Sequence, residues 1–257
     1  MTSRDDYDFS DEQLQRYSRQ IMLPVFDIAG QSRLATSRVL ILGMGGLGSP
    51  VALYLAAAGV GTLHLVDFDS VDLSNLQRQI AHRVSTVGEK KVESAKKAIA
   101  QINPDVDVLA QSELLEGRAL SDAISEADIV IDATDNFSSR FAINAACVSS
   151  KTPLVSGAAI RMEGQVSVFD PRMGDSPCYQ CLYSDISEDE LTCSEAGVMA
   201  PLVGIIGSVQ AMEAVKLVSG MGQPLAGKLL ILDAMTMEWR TMKLKKDPLC
   251  RVCSSIS

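Results

Sequence analysis

Residues 38–48, Arg-Val-Leu-Ile-Leu-Gly-Met-Gly-Gly-Leu-Gly, decide the fold of this chain. The apolar run 39–42 predicts a short buried strand, and the alanine-rich segment 51–58 predicts a helix. The turn between them contains four glycines: Gly43, Gly45, Gly46 and Gly48. This order of strand, glycine-rich turn and helix is typical of a mononucleotide-binding unit, because the glycine backbone and the helix N-terminus can approach a phosphate closely. A purely structural glycine turn is the alternative.

Polar side chains follow the predicted strands at their carboxyl ends. A second apolar run, 63–66, predicts a strand that ends at Asp67, where a carboxylate would accept hydrogen bonds from ribose hydroxyls. Another strand is predicted over 128–132. Because ligands of open α/β sheets gather at the carboxyl ends of parallel strands, we expect one shared site there. The candidate residues are Asp67, Asp69, Asn75, Arg78, Asp135 and Asn136.

An amphipathic helix predicted over 88–102 begins with two lysines, Lys90 and Lys91. Positive charge in the first turn opposes the helix dipole, which favours acidic groups there. We therefore expect an anion close to this turn.

Near the N-terminus, a further helix is predicted to start at a capping box formed by Ser10 and Gln13.

Composition limits the classes of ligand and the environment. The chain has 257 residues, 47% of them hydrophobic, and a net charge of −9, which argues against nucleic acid as a partner. The apolar stretch 198–218 is interrupted by polar and charged residues, so we predict a buried helix rather than a membrane span. No N-terminal signal is visible, and the default expectation is a cytoplasmic protein.

Four of the six cysteines form two CxxC pairs: Cys178, Cys181, Cys250 and Cys253. Four thiolates match the tetrahedral preference of structural zinc, so we predict a four-cysteine zinc site that ties the C-terminal segment to the body. A redox dithiol and an iron–sulfur cluster are the alternatives. Cys147 lies in an apolar helical context and is predicted to be buried. Cys193 lies in a polar, acidic stretch and is either a nucleophile or incidental.

The predicted fold is α/β: a Rossmann-like nucleotide-binding fold whose mostly parallel central sheet continues into a mixed sheet, with the four-cysteine zinc knot. A turn is predicted over 157–161 between two strands of the second half. We expect a single domain over residues 1–257, comprising an N-terminal helical arm (about 10–35), a nucleotide-binding half (about 36–150) and a second half (about 151–257) that carries the zinc.

Several motifs together resemble the MoeB/ThiF/HesA family of adenylyltransferases, which activate ubiquitin-like proteins. The motifs are Gly43–Gly48, Asp67-Phe-Asp69, Ser74-Asn-Leu-Gln-Arg-Gln79, Lys91-Val-Glu-Ser94, Thr134-Asp-Asn136, the two CxxC pairs and Thr192-Cys193. The resemblance covers about Ser10 to Cys253. Within the group, the segments 156–165 and 195–201 look most like the MoeB type, which serves molybdopterin synthase.

The resemblance implies ATP-dependent adenylation of the C-terminal glycine of a small sulfur-carrier protein, with release of pyrophosphate. It implies that the glycine-rich turn faces the phosphates, Asp67 and Asp69 the ribose, and Asn75, Arg78 and Lys91 the polyphosphate, while Asp135 holds Mg²⁺. Arg19 matches an arginine that reaches the neighbouring subunit's ATP site, which implies a homodimer. Cys193 matches a position where some relatives bind the carrier covalently. The second half would bind the carrier, whose tail would lie beneath the 184–196 stretch, expected to be mobile.

Two other functions stay open from the residues alone. A nicotinamide-dependent oxidoreductase would also explain the glycines and Asp67, but not the set of Arg78, Lys91 and Asp135. An inactive zinc-bound scaffold would keep the cysteines without needing those charges. Within the family, activation of the thiamin sulfur carrier, or of both carriers, is the alternative. A separate sulfur donor is the remaining expected partner.

Overall fold

The computed structural model describes residues 7–183 and 197–254, and within these ranges the chain forms eight helices and one eight-stranded sheet. The helices are Asp11–Ile21 (α1), Asp27–Ala35 (α2), Gly48–Ala58 (α3), Lys91–Ile102 (α4), Gly117–Ser125 (α5), Phe137–Ser150 (α6), Tyr179–Leu182 (α7) and Ala200–Ser219 (α8). The strands are Arg38–Leu42 (β1), Thr62–Val66 (β2), Asp107–Gln111 (β3), Ile129–Asp132 (β4), Leu154–Ile160 (β5), Glu163–Phe169 (β6), Lys228–Asp233 (β7) and Glu238–Lys243 (β8). Short 3-10 turns cover Leu73–Asn75 and Val84–Thr86.

The sheet has the strand order β3-β2-β1-β4-β5-β6-β7-β8. The five strands from β3 to β5 are parallel, and β6, β7 and β8 add antiparallel pairs. The chain therefore runs outward from β1 to β3 and then returns to place β4 on the other side of β1. This reversal is the topological switch point, where open α/β sheets bind ligands. The predicted α/β fold with a parallel sheet that continues into a mixed one is confirmed.

Side chains of the central strands alternate between two apolar layers. In β1, Val39 and Ile41 pack into one cluster with α2, α3, α4 and α8, whereas Leu40 and Leu42 pack into another with α5 and α6. Strands covered on both faces are expected to be continuously apolar, as the run 39–42 is. The glycine-rich turn thus follows a strand that is packed on both faces.

The helix α8 has the length and apolarity that a membrane span would need, but half of it is buried against the rest of the chain. It packs on α3 and on β5 and β6. Two of its polar residues, Gln210 and Glu213, are buried and hydrogen-bonded to backbone groups of the protein. The helix is therefore packed as a core helix, as predicted from the interrupted apolar stretch.

Local predictions were mostly confirmed, with one error in the second half. The Ser10 hydroxyl accepts the Gln13 N–H, and the Gln13 side chain accepts the Ser10 N–H, so the capping box exists. The turn predicted over 157–161 is wrong, because β5 continues to Ile160 and Gly157 pairs with Val166. The small residues there have another cause: a Cβ on Gly157 would lie 2.3 Å from the Gln210 side chain of α8.

Candidate nucleotide-binding cleft and cysteine cluster

A cleft of about 540 Å³ opens at the switch point, against the carboxyl ends of β1, β2 and β4. The structure brings ten of the predicted site residues to its walls: Gly43, Gly45, Gly46, Asp67, Asp69, Asn75, Arg78, Lys91, Asp135 and Asn136. Carboxylates, cations and a glycine backbone therefore face one space, as the strand order requires. The cleft is large enough for a small-molecule ligand such as a nucleotide.

The glycines of the turn serve different purposes. Gly43 has a φ of +95°, and a Cβ there would lie 2.7 Å from the carbonyl oxygen of Ala133. A Cβ on Gly48, the first residue of α3, would lie 1.9 Å from the carbonyl oxygen of Gly43. These two glycines let the turn close. Gly45 has room for a side chain, since the nearest atom to its Cβ would be Gln79 Nε2, in ordinary contact at 3.7 Å. Gly45 is thus the position where a ligand can approach the backbone.

The carboxylate of Asp67 holds the turn in place. One oxygen accepts the N–H of Met44 at 2.7 Å, and the other accepts the N–H of Asp69 at 2.8 Å. A carboxylate has about four acceptor sites, so these bonds leave room for a ribose hydroxyl. The structure therefore adds a second task for Asp67, the orientation of the glycine-rich turn.

Lys91 is buried and paired with a carboxylate. Its ammonium lies 2.7 Å from Asp69 Oδ2, with the lysine side chain 7% exposed and the aspartate side chain 51% exposed. The negative charge expected near the first turn of α4 is thus supplied in this structure by the Asp69 carboxylate. The neighbouring Lys90 is exposed and donates to the carbonyl of Phe68 instead. A bound polyphosphate would have to share Lys91 with Asp69.

Arg78 and Asp135 face the cleft without an opposite charge. The guanidinium of Arg78 donates to the carbonyl of Ser74, and it has no carboxylate partner among residues 7–183 and 197–254. Asp135 is exposed at the cleft and makes no ion pair in the described part of the chain. The side chain of Asn136 caps α6 by accepting the N–H of Ser139. One cation and one anion are therefore available to a ligand.

Sequence reasoning missed a buried charge pair behind Asp135. Arg140 donates to the carbonyl oxygen of Thr134 at 2.6 Å and lies 3.9 Å from the carboxylate of Asp132. Burial alone would lower the pKa of Arg140, but the Asp132 carboxylate raises it above its ordinary value. Asp132 also accepts from Thr134 and Ser156. The signal available in the sequence was the spacing of Arg140, one helical turn after Asn136.

A second missed residue is Gln79, which is 4% exposed and lines the cleft. Its Oε1 has no hydrogen-bond partner in the part of the chain that the structure describes. A buried acceptor without a partner is unfavourable, so its place at the cleft indicates that a ligand or solvent donor satisfies it. The sequence signal was its position directly after Arg78.

Arg19 lies far from the cleft of its own chain. It is exposed on α1, whose Gln20 and Arg16 side chains donate to the carbonyls of Ala58 and Ile102. These two residues end α3 and α4, both of which begin at the cleft. Since α3 has 11 residues, its two ends lie about 16 Å apart, and Arg19, next to Gln20 in the chain, lies near the end that is away from the glycine-rich turn. The structure does not bring Arg19 together with the other predicted site residues.

The four CxxC cysteines meet in space, with all sulfur atoms within 4.8 Å of one another. Three of the separations are 3.9 Å (Cys178–Cys181), 3.6 Å (Cys178–Cys250) and 3.4 Å (Cys181–Cys253). Tetrahedral zinc with Zn–S bonds of about 2.3 Å would place its sulfurs about 3.8 Å apart. The cluster is therefore a possible metal site that joins α7 to the C-terminal segment.

Polar groups surround the cluster as they do around metal-bound thiolates. The Asn144 amide points at Cys178 Sγ, and the N–H of Asp247 donates to Cys181 Sγ at 3.4 Å. Burial raises the pKa of Cys178 to about 11, as expected for a thiol that has no cation beside it. Burial would also raise the pKa of Cys250, but nearby backbone N–H groups lower it overall. Such N–H groups stabilise a thiolate ligand.

Of the two cysteines outside the CxxC pairs, the structure describes Cys147. Cys147 is 1% exposed and burial raises its pKa, so the prediction that this cysteine is buried is confirmed. His64 is bonded to Gln111 across the sheet at 3.0 Å and is no ligand of the cysteine cluster. Cys193 and the 184–196 stretch lie outside the described residues.

Comparison with known proteins places this geometry among characterised folds. The chain is 54% identical over 246 residues to molybdopterin-synthase adenylyltransferase of Escherichia coli K12, covering 96% of this chain and 98% of that relative. It is 46% identical over 244 residues to sulfur carrier protein ThiS adenylyltransferase of the same strain, covering 95% and 96%. The crystal structure of E. coli MccB with MccA-N7isoASN superposes with a TM-score of 0.84 at 23% identity, covering 97% of this chain and 76% of that one.

The structural likeness to MccB supports the fold alone, whereas the two sequence relatives span almost the whole chain. The family model itself matches residues 17–252. The family predicted from the motifs is therefore confirmed, and the chain belongs to the ThiF family.

Proposed function

We propose that the chain is an adenylyltransferase that uses ATP to activate the C-terminal glycine of a small ubiquitin-like sulfur carrier, the small subunit of molybdopterin synthase. The 54% identity to an enzyme named molybdopterin-synthase adenylyltransferase supports the carrier. The observation that carries the chemistry is the cleft itself, where a glycine backbone, Arg78, Lys91 and Asp135 face one space at the switch point. The whole chain acts as one domain with the arm and two halves predicted above.

In this reaction the carrier's terminal carboxylate attacks the α-phosphorus of ATP, an oxygen–phosphorus bond forms, and pyrophosphate leaves. The product is an acyl-adenylate, which a separate sulfur donor consumes. Both reactants are anions, so the protein must hold them together and offset the charge on the transferring group. Arg78 and Lys91 supply cations, the backbone at Gly45 and Gly46 supplies N–H donors, and Asp67 and Asp69 orient the ribose.

Asp135 fits a magnesium ion. It is an exposed carboxylate that faces the cleft and has no ion pair among the described residues, and Mg²⁺ prefers oxygen ligands that keep part of its water shell. When bound, the ion neutralises charge on the leaving pyrophosphate. Arg140 holds the Thr134 carbonyl and thereby keeps the loop that carries Asp135 in place.

Arg19 acts in the cleft of a second copy of the chain, and the active unit is a homodimer. Its distance from the cleft of its own chain supports an action across subunits. The test mixes Arg19→Ala with Arg78→Ala: a heterodimer with one variant of each kind retains one intact site, so activity returns on mixing. Heterodimers verified by two different tags that stay inactive would contradict this arrangement.

The cysteine cluster holds a structural zinc ion. All four sulfurs are protein ligands, so the tetrahedral shell is complete and leaves no position for water or substrate. The ion's contribution is folding energy, because the two CxxC pairs come from distant parts of the chain. The four cysteines are free thiols, which persist in a reducing compartment and so support a cytoplasmic location.

A second carrier is supported by the 46% identity to the ThiS adenylyltransferase. The test is ATP–pyrophosphate exchange with each purified carrier in turn. Exchange with the molybdopterin-synthase subunit alone supports the proposal, and exchange with both means a shared activator. Exchange with neither, in protein that binds ATP, would contradict it. Binding of NAD in place of ATP would favour the oxidoreductase alternative.

A further inference from the structure

His82 connects the glycine-rich turn to the helix that carries Lys91. Its ring is buried, with Nε2 3.1 Å from the carbonyl oxygen of Met44 and Nδ1 3.0 Å from the hydroxyl of Ser94 on α4. The Ser94 hydroxyl is in turn 2.8 Å from that of Thr86. The ring does not line the cleft, so the chemistry proposed above leaves it without a task.

The partners of the ring determine where its protons are. The carbonyl oxygen of Met44 can only accept, so Nε2 must carry a proton for this contact to be a hydrogen bond. Ser94 has one hydroxyl hydrogen. If it points to Thr86, Nδ1 must also be protonated and the ring is charged. If it points to Nδ1, the ring is neutral, and the Thr86 hydroxyl donates to the carbonyl of Arg83 at 3.0 Å. Either way the Nε2–H is required, and only the Nδ1–H tautomer would break the bond.

The surroundings favour the neutral ring. Burial lowers the pKa of His82 below its ordinary value, and the cations Lys91 and Arg83 lower it further, while Asp67 and the bond to Met44 oppose them. In the neutral form Ser94 donates to Nδ1 and the ring donates to the Met44 carbonyl, while the Thr86 hydroxyl accepts the N–H of Arg83 and donates to its carbonyl. Every polar atom of this buried network then has a partner.

The bond fixes the part of the turn that faces the ligand. The N–H of Met44 is held by Asp67 and its carbonyl by His82, so both polar groups of this residue are committed. In a trans peptide the next N–H, that of Gly45, points away from the carbonyl and hence away from His82. This N–H has no acceptor among the described residues. Without the bond, a peptide next to two glycines could rotate easily.

We propose that His82 is a positioning residue for adenylyl transfer, whose Nε2–H holds the Met44 carbonyl so that the Gly45 N–H faces the phosphates of ATP. Through Ser94 it also couples the turn to α4, and so to Lys91. The inference rests on the proposed function for the reaction it serves, but its contacts are independent of that function.

The first test reads the tautomer directly. The chain has two histidines, so protein labelled with ¹⁵N-histidine gives two ring spectra, and a His64→Gln variant assigns them. We expect His82 to be neutral near pH 7 with its proton on Nε2. A spectrum of the Nδ1–H tautomer would overturn the proposal. This result does not depend on ATP, on the carrier or on activity.

The second test separates positioning from packing with two variants. In His82→Gln the side-chain amide can still donate to the Met44 carbonyl, whereas His82→Met has similar bulk and no donor. We expect the KM for ATP to stay within about threefold of wild type in the first and to rise about tenfold in the second, the factor for one net hydrogen bond. The KM for the carrier should not change.

Equal KM values for ATP in the two variants would overturn the proposal, even if both lower the melting temperature. If His82→Met does not fold, Ser94→Ala replaces it, because it keeps the ring and removes the partner of Nδ1. The Met44 carbonyl still requires the Nε2–H, so this tautomer should persist while the KM for ATP rises, and an unchanged KM would count against the coupling. If the wild-type protein shows no carrier-dependent ATP–pyrophosphate exchange, the proposed function is contradicted instead. The two His82 variants are then compared by their ATP affinity in calorimetry in place of KM.

Discussion

Two alanine substitutions in the glycine-rich turn should separate stability from binding. Gly43→Ala should lower the stability of the fold, whereas Gly45→Ala should weaken ATP binding and change stability little. Gly43→Ala forces a Cβ into a residue with a φ of +95° and to within 2.7 Å of the Ala133 carbonyl oxygen. Gly45→Ala places its Cβ in ordinary contact, 3.7 Å from the nearest atom, on the wall of the cleft. The pair therefore separates the glycine that closes the turn from the glycine that admits a ligand.

The magnitude for Gly43→Ala comes from two costs. A side chain in a sparsely populated backbone conformation costs about 1–3 kcal/mol, and the clash with a backbone oxygen that cannot rotate away adds about 1–3 kcal/mol. Together they give about 2–6 kcal/mol in the free energy of unfolding, or a melting temperature lower by about 5–20 °C in a chain of this size. Gly45→Ala should change stability by less than about 1 kcal/mol.

Gly45→Ala should be the variant that weakens ATP binding. Calorimetric titration of Gly45→Ala with ATP should show affinity weaker by about tenfold or more, because the added methyl keeps a phosphate from the backbone N–H groups. Differential scanning fluorimetry of both variants supplies the stabilities. The reasoning is refuted if Gly43→Ala melts within about 2 °C of wild type, or if Gly45→Ala binds ATP with unchanged affinity.

Two further predictions concern the buried cation and the cysteines. Lys91→Met should weaken ATP binding by about 10- to 100-fold, the range for one hydrogen bond to a charged group, whereas the exposed Lys90→Met, its matched control, should bind nearly as wild type; equal losses in calorimetry would contradict the role of Lys91. Cys178→Ser should lose bound zinc and melt at a lower temperature together, because a structural metal contributes folding energy, while Cys147→Ala should retain the metal. Full zinc content of purified Cys178→Ser by elemental analysis would disprove the site.

The parts of the fold and cleft that follow from local chemistry were predictable. A buried strand must be apolar on both faces, and a turn that closes on Ala133 requires glycine, so 39–48 identified the unit around β1. The carboxyl ends of parallel strands meet at one edge, which brought Asp67 and Asp135 to one cleft. These features depend on short segments and a general rule of topology.

The parts that depend on contacts between distant segments could not be predicted. Gly157 was assigned to a turn because nothing near it in the chain reveals that α8 passes against its strand. The pairing of Lys91 with Asp69 joins two residues that were expected to bind different parts of the nucleotide, the polyphosphate and the ribose. The ring of His82 reaches Met44 and Ser94 only after β1 and α4 have packed together. Such choices of partner are made by tertiary structure and leave no periodicity in the sequence.

The central claim is that this cleft transfers an adenylyl group to a carrier's terminal carboxylate. The most direct measurement is intact-mass spectrometry of the molybdopterin-synthase small subunit after incubation with the protein, ATP, Mg²⁺ and a pyrophosphatase. We predict a carrier that gains one AMP at its C-terminal glycine, and no gain with Asp135→Asn or with a carrier that lacks that glycine. A carrier that gains a single phosphate, or one that stays unmodified while the protein binds ATP, would contradict the account.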